Sequence, residues 1–381
     1  MRKIPALRLS YSKEEKNDIT KGVNEILNSG FLTMGEKVTQ FERLFAEFVG
    51  VKYAVAVNSG TSALEIPLRA LNVEGKSIII PTNTFMATPL AALHAGAKVI
   101  FADVSRESLS IDPKEIEKNI IDGTVGVIIV HIGGFISPEW NKIKKICDSN
   151  GLFILEDAAH AHGATIDGQM AGSLGTAGSF SFYPTKIVNT AEGGMITTDD
   201  EDIYKLSLIL REHGKTDPDL DIHSELGYNW RFSEFHALLG LQQMKKLPWM
   251  LSERRRLASI YDELIKEVHD VIAIELSDNI ESSYYKYLLF LNTLYDSTVV
   301  KNKMRDQFGI TLPSEVYANP CHSQPLFLKY PELVLNAPGK QFPGAKYVSK
   351  HQICLPLYPG LTDDELMYVV DSLKSVLESL N

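Results

Sequence analysis

The sequence predicts an α/β protein: a mostly parallel sheet flanked by helices, followed by a smaller C-terminal α+β domain. Three observations carry this. Short Val/Ile-rich runs ("SIIIP", "KVIFADV", "GTVGVIIV", "LFILE") alternate with segments of helical period, the pattern of strands buried on both faces. The chain has 381 residues, 44% of them hydrophobic, enough for two or three domains with sizeable cores. Beyond Leu247 the alternation stops, and long charged helical segments surround a single apolar run, "YYKYLLFL".

In order, "KEEKNDITKGVNEILNS" (13–29) reads as an amphipathic helix ended by Gly30, and "KVTQFERLFAEFVG" as a second, stopped by Gly50. "KYAVAVNSGTSALEIPLRAL" is a strand, a small polar loop and a helix. "SIIIPTNTFMATPLAALHAGA" repeats that order, and "PEWNKIKKICDSNG" is the helix after "GTVGVIIVHIGG". "AGSFSFYP" and "GGMITTDD" are two further strands around Lys186. The domain boundary is expected near residues 245–255, giving a large domain over 1–250 and a small one over 251–381. Residues 1–30 are expected against the small domain. "ERRR" (253–256) reads as a solvated helix face, "GITLPSEVY" as strand and turn, and the last twenty residues as a helix.

A net charge of −10 disfavours binding to nucleic acid or an acidic membrane, both of which need basic surface. Cys147, Cys321 and Cys354 are far apart and form no CxxC. This argues against disulfides and thiolate zinc sites, and for a reducing cytoplasm. The histidines form no HExxH, so no metal is expected. The first residues lack the apolar core of a signal peptide, and no run approaches the ~18 apolar residues of a membrane span.

In open α/β sheets ligands bind beyond the carboxyl ends of the strands. Four features sit there. "NSGTSAL" (58–64) offers small residues and hydroxyls at a helix start, either a phosphate site or an ordinary N-cap. Asp157 ends the strand "LFILE", as a functional carboxylate or a cap for "AAHAHGA". Phe85, in "PTNTF", is core or a stacking platform. Lys186, in "SFSFYPTKIVNTAEGG", is a solvated amine or, if buried, a nucleophile toward a carbonyl. Together, a phosphate cradle, a flat aromatic, a carboxylate for a pyridinium nitrogen and a Schiff-base lysine are what pyridoxal 5′-phosphate (PLP) requires.

With these motifs in order and spacing, the chain resembles the DegT/DnrJ/EryC1/StrS family of sugar aminotransferases. The resemblance runs from "SGFLTMGEKVTQFERLFAEFVG" through "NSGTSAL", "PTNTF", "LEDAAHAHGA", "GSFSFYPTK", "EGGMITTDD" and "GYNWRFSEFHALLGLQQMKKL" to "LPLYPGLTDDEL". It implies the large PLP-binding domain of fold-type I enzymes and a homodimer with active sites at the subunit interface. By this resemblance Lys186 is the Schiff-base lysine and Asp157 the partner of the pyridine nitrogen. Phe85 stacks on the ring, Gly60, Thr61 and Ser181 hold the phosphate, and His160 lies near the 3-hydroxyl. Asn229 reaches the phosphate of the neighbouring subunit, Arg231 is a contact for a carboxylate or the substrate, and His322 is a substrate contact or a structural residue of its loop.

Two departures stand out. Ile187 follows the lysine where many relatives have Asn, and His131-Ile132-Gly133-Gly134 replaces His-x-Tyr-Gly; both are expected near the substrate. The implied reaction moves an amino group from glutamate to a nucleotide-linked keto sugar, in amino-sugar and polysaccharide biosynthesis. The alternatives are a sugar dehydratase or lyase of the same family, in which some relatives carry His in place of the lysine, and a PLP-fold regulatory protein.

Overall fold

The structure is a computed structural model that describes residues 2–9, 11–217, 219–336 and 339–380. Its centre is a seven-stranded sheet. The strands are β1 (Tyr53–Val57), β2 (Ser77–Pro81), β3 (Lys98–Ala102), β4 (Thr124–Val130), β5 (Phe153–Asp157), β6 (Ala177–Ser181) and β7 (Gly194–Thr198). Their spatial order is β1-β7-β6-β5-β4-β2-β3. Only β7 runs against the others, pairing antiparallel with both β6 and β1. Every residue of β2 and of β7 is buried, as expected of strands covered on both faces.

The helices begin and end where their caps dictate. Helix α1 (Lys13–Ser29) opens with a capping box between Ser12 and Glu15 and ends at Gly30, whose φ of 75° few other residues adopt at low cost. Helix α2 (Glu36–Val49) ends at Gly50 in the same way. It buries Phe41 and Phe45 under the sheet, where the Phe45 ring meets Phe180 edge-on at 4.9 Å. Burying such rings contributes about 1.5–3 kcal/mol each, and it presses β6, the strand that leads to Lys186, onto its backing helix.

The expected boundary at 245–255 falls inside one continuous helix, α5 (Glu234–Ile265); α3 (Gly60–Ala70) and α4 (Ala87–His94) precede it. Its first half packs on α1 and α2. Its second half enters a separate apolar cluster that joins Leu257, Tyr261, Leu289, Ile353 and Leu373. Ile4 belongs to that cluster too, through a bridge to Ile310.

"ERRR" is a solvated face only in part: Arg256 is exposed and pairs with Glu253 and Asp363, but its neighbours turn inward. Arg254 is buried and donates to the carbonyls of Tyr284 and Leu357; Arg255 donates to Ser282 O and Gly163 O. These guanidiniums satisfy carbonyls of irregular backbone on which the helix lies, a use that helical periodicity does not reveal. Nor is "GITLPSEVY" a strand. Beyond the Ile310 bridge it is irregular, because Pro313 lacks an N–H for a ladder and the segment instead lines a cavity.

Candidate active site

Beyond the carboxyl ends of β1, β2, β5 and β6 lies a cavity of about 610 Å³. Gly60, Thr61, Phe85, Asp157, His160, Ser181 and Lys186, all singled out from the sequence, line it. Each stands where its strand hands over to the next element, as the switch-point rule requires.

The Asn58–Ser62 loop is both things at once. Ser59 Oγ accepts the Ser62 N–H at 3.1 Å and so caps α3 (Gly60–Ala70), while Gly60 and Thr61 face the cavity. Gly60 is glycine because of close approach: a Cβ there would lie 2.8 Å from Ser181 Cβ. The result is a cradle of backbone and hydroxyls at a helix N-terminus, suited to an anion.

Asp157 is buried and caps no helix, since none follows it. Its Oδ2 accepts from Thr88 Oγ1 at 2.7 Å and its Oδ1 from the Ala159 N–H at 3.2 Å. Burial pushes its carboxyl above the ordinary value, opposed by those hydrogen bonds and by the charges of Lys186 and His131. Among the described residues no cation lies within ion-pair distance of it. His160 stacks on Tyr285 at 4.2 Å and its Nε2 is 3.2 Å from Tyr317 Oη; its Nδ1 is buried with no partner. Burial holds this imidazole neutral, well below its usual range.

Lys186 answers the question its motif raises. Its side chain is not a solvated amine: Nζ sits 4.9 Å from the centre of the Tyr285 ring. Burial lowers it from 10.5 to about 8, with Asp157 pulling it up and Lys286 pushing it down. A buried lysine with a lowered pKa weakens the fold while it is charged, a penalty that is complete below about pH 8 and fades as pH rises toward 10.5. Lys186→Met is therefore expected to raise the melting temperature of the cofactor-free protein at pH 7. The gain should shrink as the pH of the melt passes from 8 to 10, and a gain that stays constant would contradict the burial penalty.

Four singled-out residues lie elsewhere. Asn229 is exposed on the surface, its carbonyl 3.4 Å from Asn58 Nδ2. Arg231 is held by Glu212 at 2.7 Å and does not line the cavity. His322 turns away from the cavity: Nδ1 meets Thr82 Oγ1 at 2.7 Å and the ring packs on Phe342. Ile187 is buried in the main core, so its side chain does not face the large cavity either.

Conversely, Tyr285, Lys286, Glu315 and Tyr317 line the cavity and were not singled out. They come from the C-terminal segments, where no strand end or motif marks them. The His131-Ile132-Gly133-Gly134 departure turns out to place two of them. Gly133 O accepts the Lys286 N–H at 3.1 Å and Gly134 O the Ser283 N–H at 2.8 Å. Gly134 has φ +100°, and a Cβ on it would stand 2.8 Å from Tyr285 N. Gly134→Ala should therefore cost roughly 1–3 kcal/mol, read as a lower urea midpoint, and more than Ala at exposed Gly75, which shares a positive φ (+73°) but has nothing within 4 Å of its Cβ position and so reports the backbone strain alone.

The match to the DegT/DnrJ/EryC1/StrS aminotransferase family spans residues 13–374. The chain belongs to that family. The family is PLP-dependent, and its enzyme class is that of a transaminase. The UDP-4-amino-4,6-dideoxy-N-acetyl-beta-L-altrosamine transaminase of Campylobacter jejuni is 30% identical over 97% of this chain and 97% of that protein. The GDP-4-keto-6-deoxy-D-mannose 3-dehydratase of Yersinia pseudotuberculosis is 32% identical over 76% of this chain and 79% of that protein. The putative sugar aminotransferase Spr1654 of Streptococcus pneumoniae, solved in its PMP form, superimposes with a TM-score of 0.87, at 26% identity, over 96% of this chain and 98% of that one. The fold is that of fold-type I PLP enzymes, and no described helix is long and apolar enough to cross a membrane.

Proposed function

We propose that this protein transfers an amino group from glutamate to the keto group of a nucleotide-linked deoxysugar, using PLP held in the large cavity. The observation that carries the reading is the convergence of Lys186, buried Asp157 and the Gly60–Ser181 cradle on one cavity. The residues fit the cofactor: the cradle is closed to a Cβ, His160 Nδ1 is buried without a partner, and Asp157 is a buried carboxylate awaiting a cation. Gly60, Thr61 and Ser181 would hold the phosphate, Phe85 and His160 the ring region, and Asp157 the ring nitrogen.

When bound, PLP supplies an aldehyde carbon for amines and a pyridinium ring that withdraws electrons. The protein supplies the rest. Lys186 Nζ, neutral above about pH 8, would be the base that takes the proton from the donor's Cα and, in the acceptor half, the acid that delivers one to the acceptor carbon. Asp157 holds a proton on the ring nitrogen by charge. Tyr285 and Tyr317 wall the site against water.

The transaminase reading is preferred over the dehydratase because the lysine is present where, by resemblance, dehydratases carry His. A regulatory protein would have no use for a buried lysine of lowered pKa. The protein works as a homodimer, with Asn229 reaching the neighbouring site. Leu220, Ile222 and Leu226, the last 88% exposed, offer an apolar face beside it. We place it in the cytoplasm, where its three buried cysteines stay reduced.

The test begins with the cofactor. Protein loaded with PLP and treated with borohydride should carry the added mass on the peptide containing Lys186. Glutamate with a panel of nucleotide keto sugars should then yield 2-oxoglutarate and an amino sugar in equal amounts, with ping-pong kinetics. A deoxy product formed without consumption of glutamate would establish the dehydratase instead.

A further inference from the structure

The cavity holds one more cation than the cofactor reading uses. Among the described residues lining it, only Lys186 and Lys286 are cationic side chains. Lys286 Nζ lies 5.2 Å from the centre of the same Tyr285 ring that Lys186 approaches at 4.9 Å. Among the described residues no carboxylate lies within ion-pair distance of it. Glu315, the wall carboxylate whose charge acts on Lys286, is paired with Lys301 at 2.6 Å.

A side cavity of about 120 Å³ opens at this point and shares Thr185, Tyr285, Lys286 and Ser314 with the main one. Arg254 lines its far side. It is 4% exposed, its Nη1 is held by the Tyr284 and Leu357 carbonyls, its Nε has no partner, and no carboxylate pairs with it. A buried guanidinium and a half-buried ammonium thus flank one small space, with no carboxylate of the described residues in ion-pair distance of either. Buried charges are normally paired, because an unpaired one costs several kcal/mol. Burial accordingly lowers both groups, Arg254 to about 10.

We propose that Lys286, backed by Arg254, forms the subsite for a carboxylate of the amino donor. The inference rests on the transaminase reading for the identity of its ligand. An amino acid donor such as glutamate brings a carboxylate, and the chemistry must leave Lys186 free to carry a proton. The cradle at Gly60, Thr61 and Ser181 is assigned to a phosphate, which leaves Lys286 as the cation for the donor's acid group. The side cavity suits a carboxylate rather than a nucleoside diphosphate, since it is a fifth of the volume of the main cavity and walled by Ala6, Leu7, Pro313, Leu355 and Leu357. Gly133 and Gly134 fix the backbone that presents Lys286, which gives the departure from His-x-Tyr-Gly a role in donor binding.

Glutarate, a dicarboxylate without an amine, is the probe. Calorimetry with the full-length protein should show glutarate binding that weakens roughly 10- to 100-fold in Lys286→Met and recovers in Lys286→Arg, while uridine diphosphate and inorganic phosphate bind the wild type and Lys286→Met alike. In the PLP-loaded protein the same substitution should raise the KM for glutamate far more than it lowers kcat. Undiminished glutarate binding in Lys286→Met, no glutarate binding to the wild type, or a loss confined to uridine diphosphate or phosphate would each overturn the subsite. The borohydride adduct at Lys186, measured in wild type and Lys286→Met, reports separately on the cofactor reading. Its absence from the wild type sinks that reading, while the glutarate result still decides whether the anion site exists.

Discussion

Lys186→Ala is expected to lower turnover by roughly 10²–10⁴-fold while leaving the fold and the cavity in place. No neighbour can substitute for it. His160 is held neutral and fixed between Tyr285 and Tyr317. Lys286 is tied through its backbone to Gly133 and faces the side cavity. The alanine variant leaves a gap at the site of Nζ, so a small primary amine in the buffer should restore part of the rate. Lys186→Arg should not, because a guanidinium stays charged and cannot accept the proton. The wild-type rate of reaction of Lys186 with an added aldehyde should rise with pH through about 8, not near 10.5. Turnover by the alanine variant within tenfold of wild type would remove Lys186 from the mechanism.

How much of this was legible in the sequence follows from where each residue sits. Asp157, Ser181, Gly60 and Phe85 stand at strand ends of a parallel sheet, and apolar runs bounded by polar residues reveal strand ends directly. Lys186 was legible only in company. One lysine between aromatic and small residues says little, but its strand neighbours Asp157 and Gly60 supply the sites that a lysine of this kind would serve. Arg254 and Lys286 left no such mark. Both are long charged side chains in charged or tyrosine-rich stretches, and only the packing of the C-terminal segments against the sheet buries Arg254 and half-buries Lys286.

The residues that lie outside the cavity are equally instructive. His322 sits in a loop that does approach the site, but Thr82 Oγ1 captures its ring and its neighbour Cys321 donates to Thr84 O, so the loop is fastened to β2 rather than turned inward. Loop side chains obey local hydrogen bonds that no periodicity predicts. Ile187 and the two glycines at 133 and 134 were both expected near substrate. The glycines act at a distance, through the backbone of residues 283–286, and Ile187 fills core. The helix through 245–255 shows a further limit: a change in composition marks a change of packing partners, not a break in the backbone.

Asp157→Asn is expected to cost on the order of 10²–10³-fold in turnover, with PLP released more readily by dialysis. The substitution keeps the size of the side chain: the amide oxygen can still accept from the Ala159 N–H, and the NH2 can donate to Thr88 Oγ1, whose hydroxyl can turn to Thr84 Oγ1, so the fold should survive. What disappears is the negative charge. A buried carboxylate opposed by no paired cation is costly to the free protein, and a protonated ring nitrogen brought into its reach offsets that cost. The amide offers no such gain. Thr88 gives the finer test. Because Asp157 must be ionised to act, activity is lost as pH falls through its raised pKa. Thr88→Val removes the hydrogen bond that lowers that pKa, so the acid limb of the rate profile should move to higher pH with little change on the alkaline side. An acid limb unmoved in Thr88→Val, or an Asp157→Asn protein that keeps both its cofactor and its rate, would show that the carboxylate caps a loop and does no chemistry.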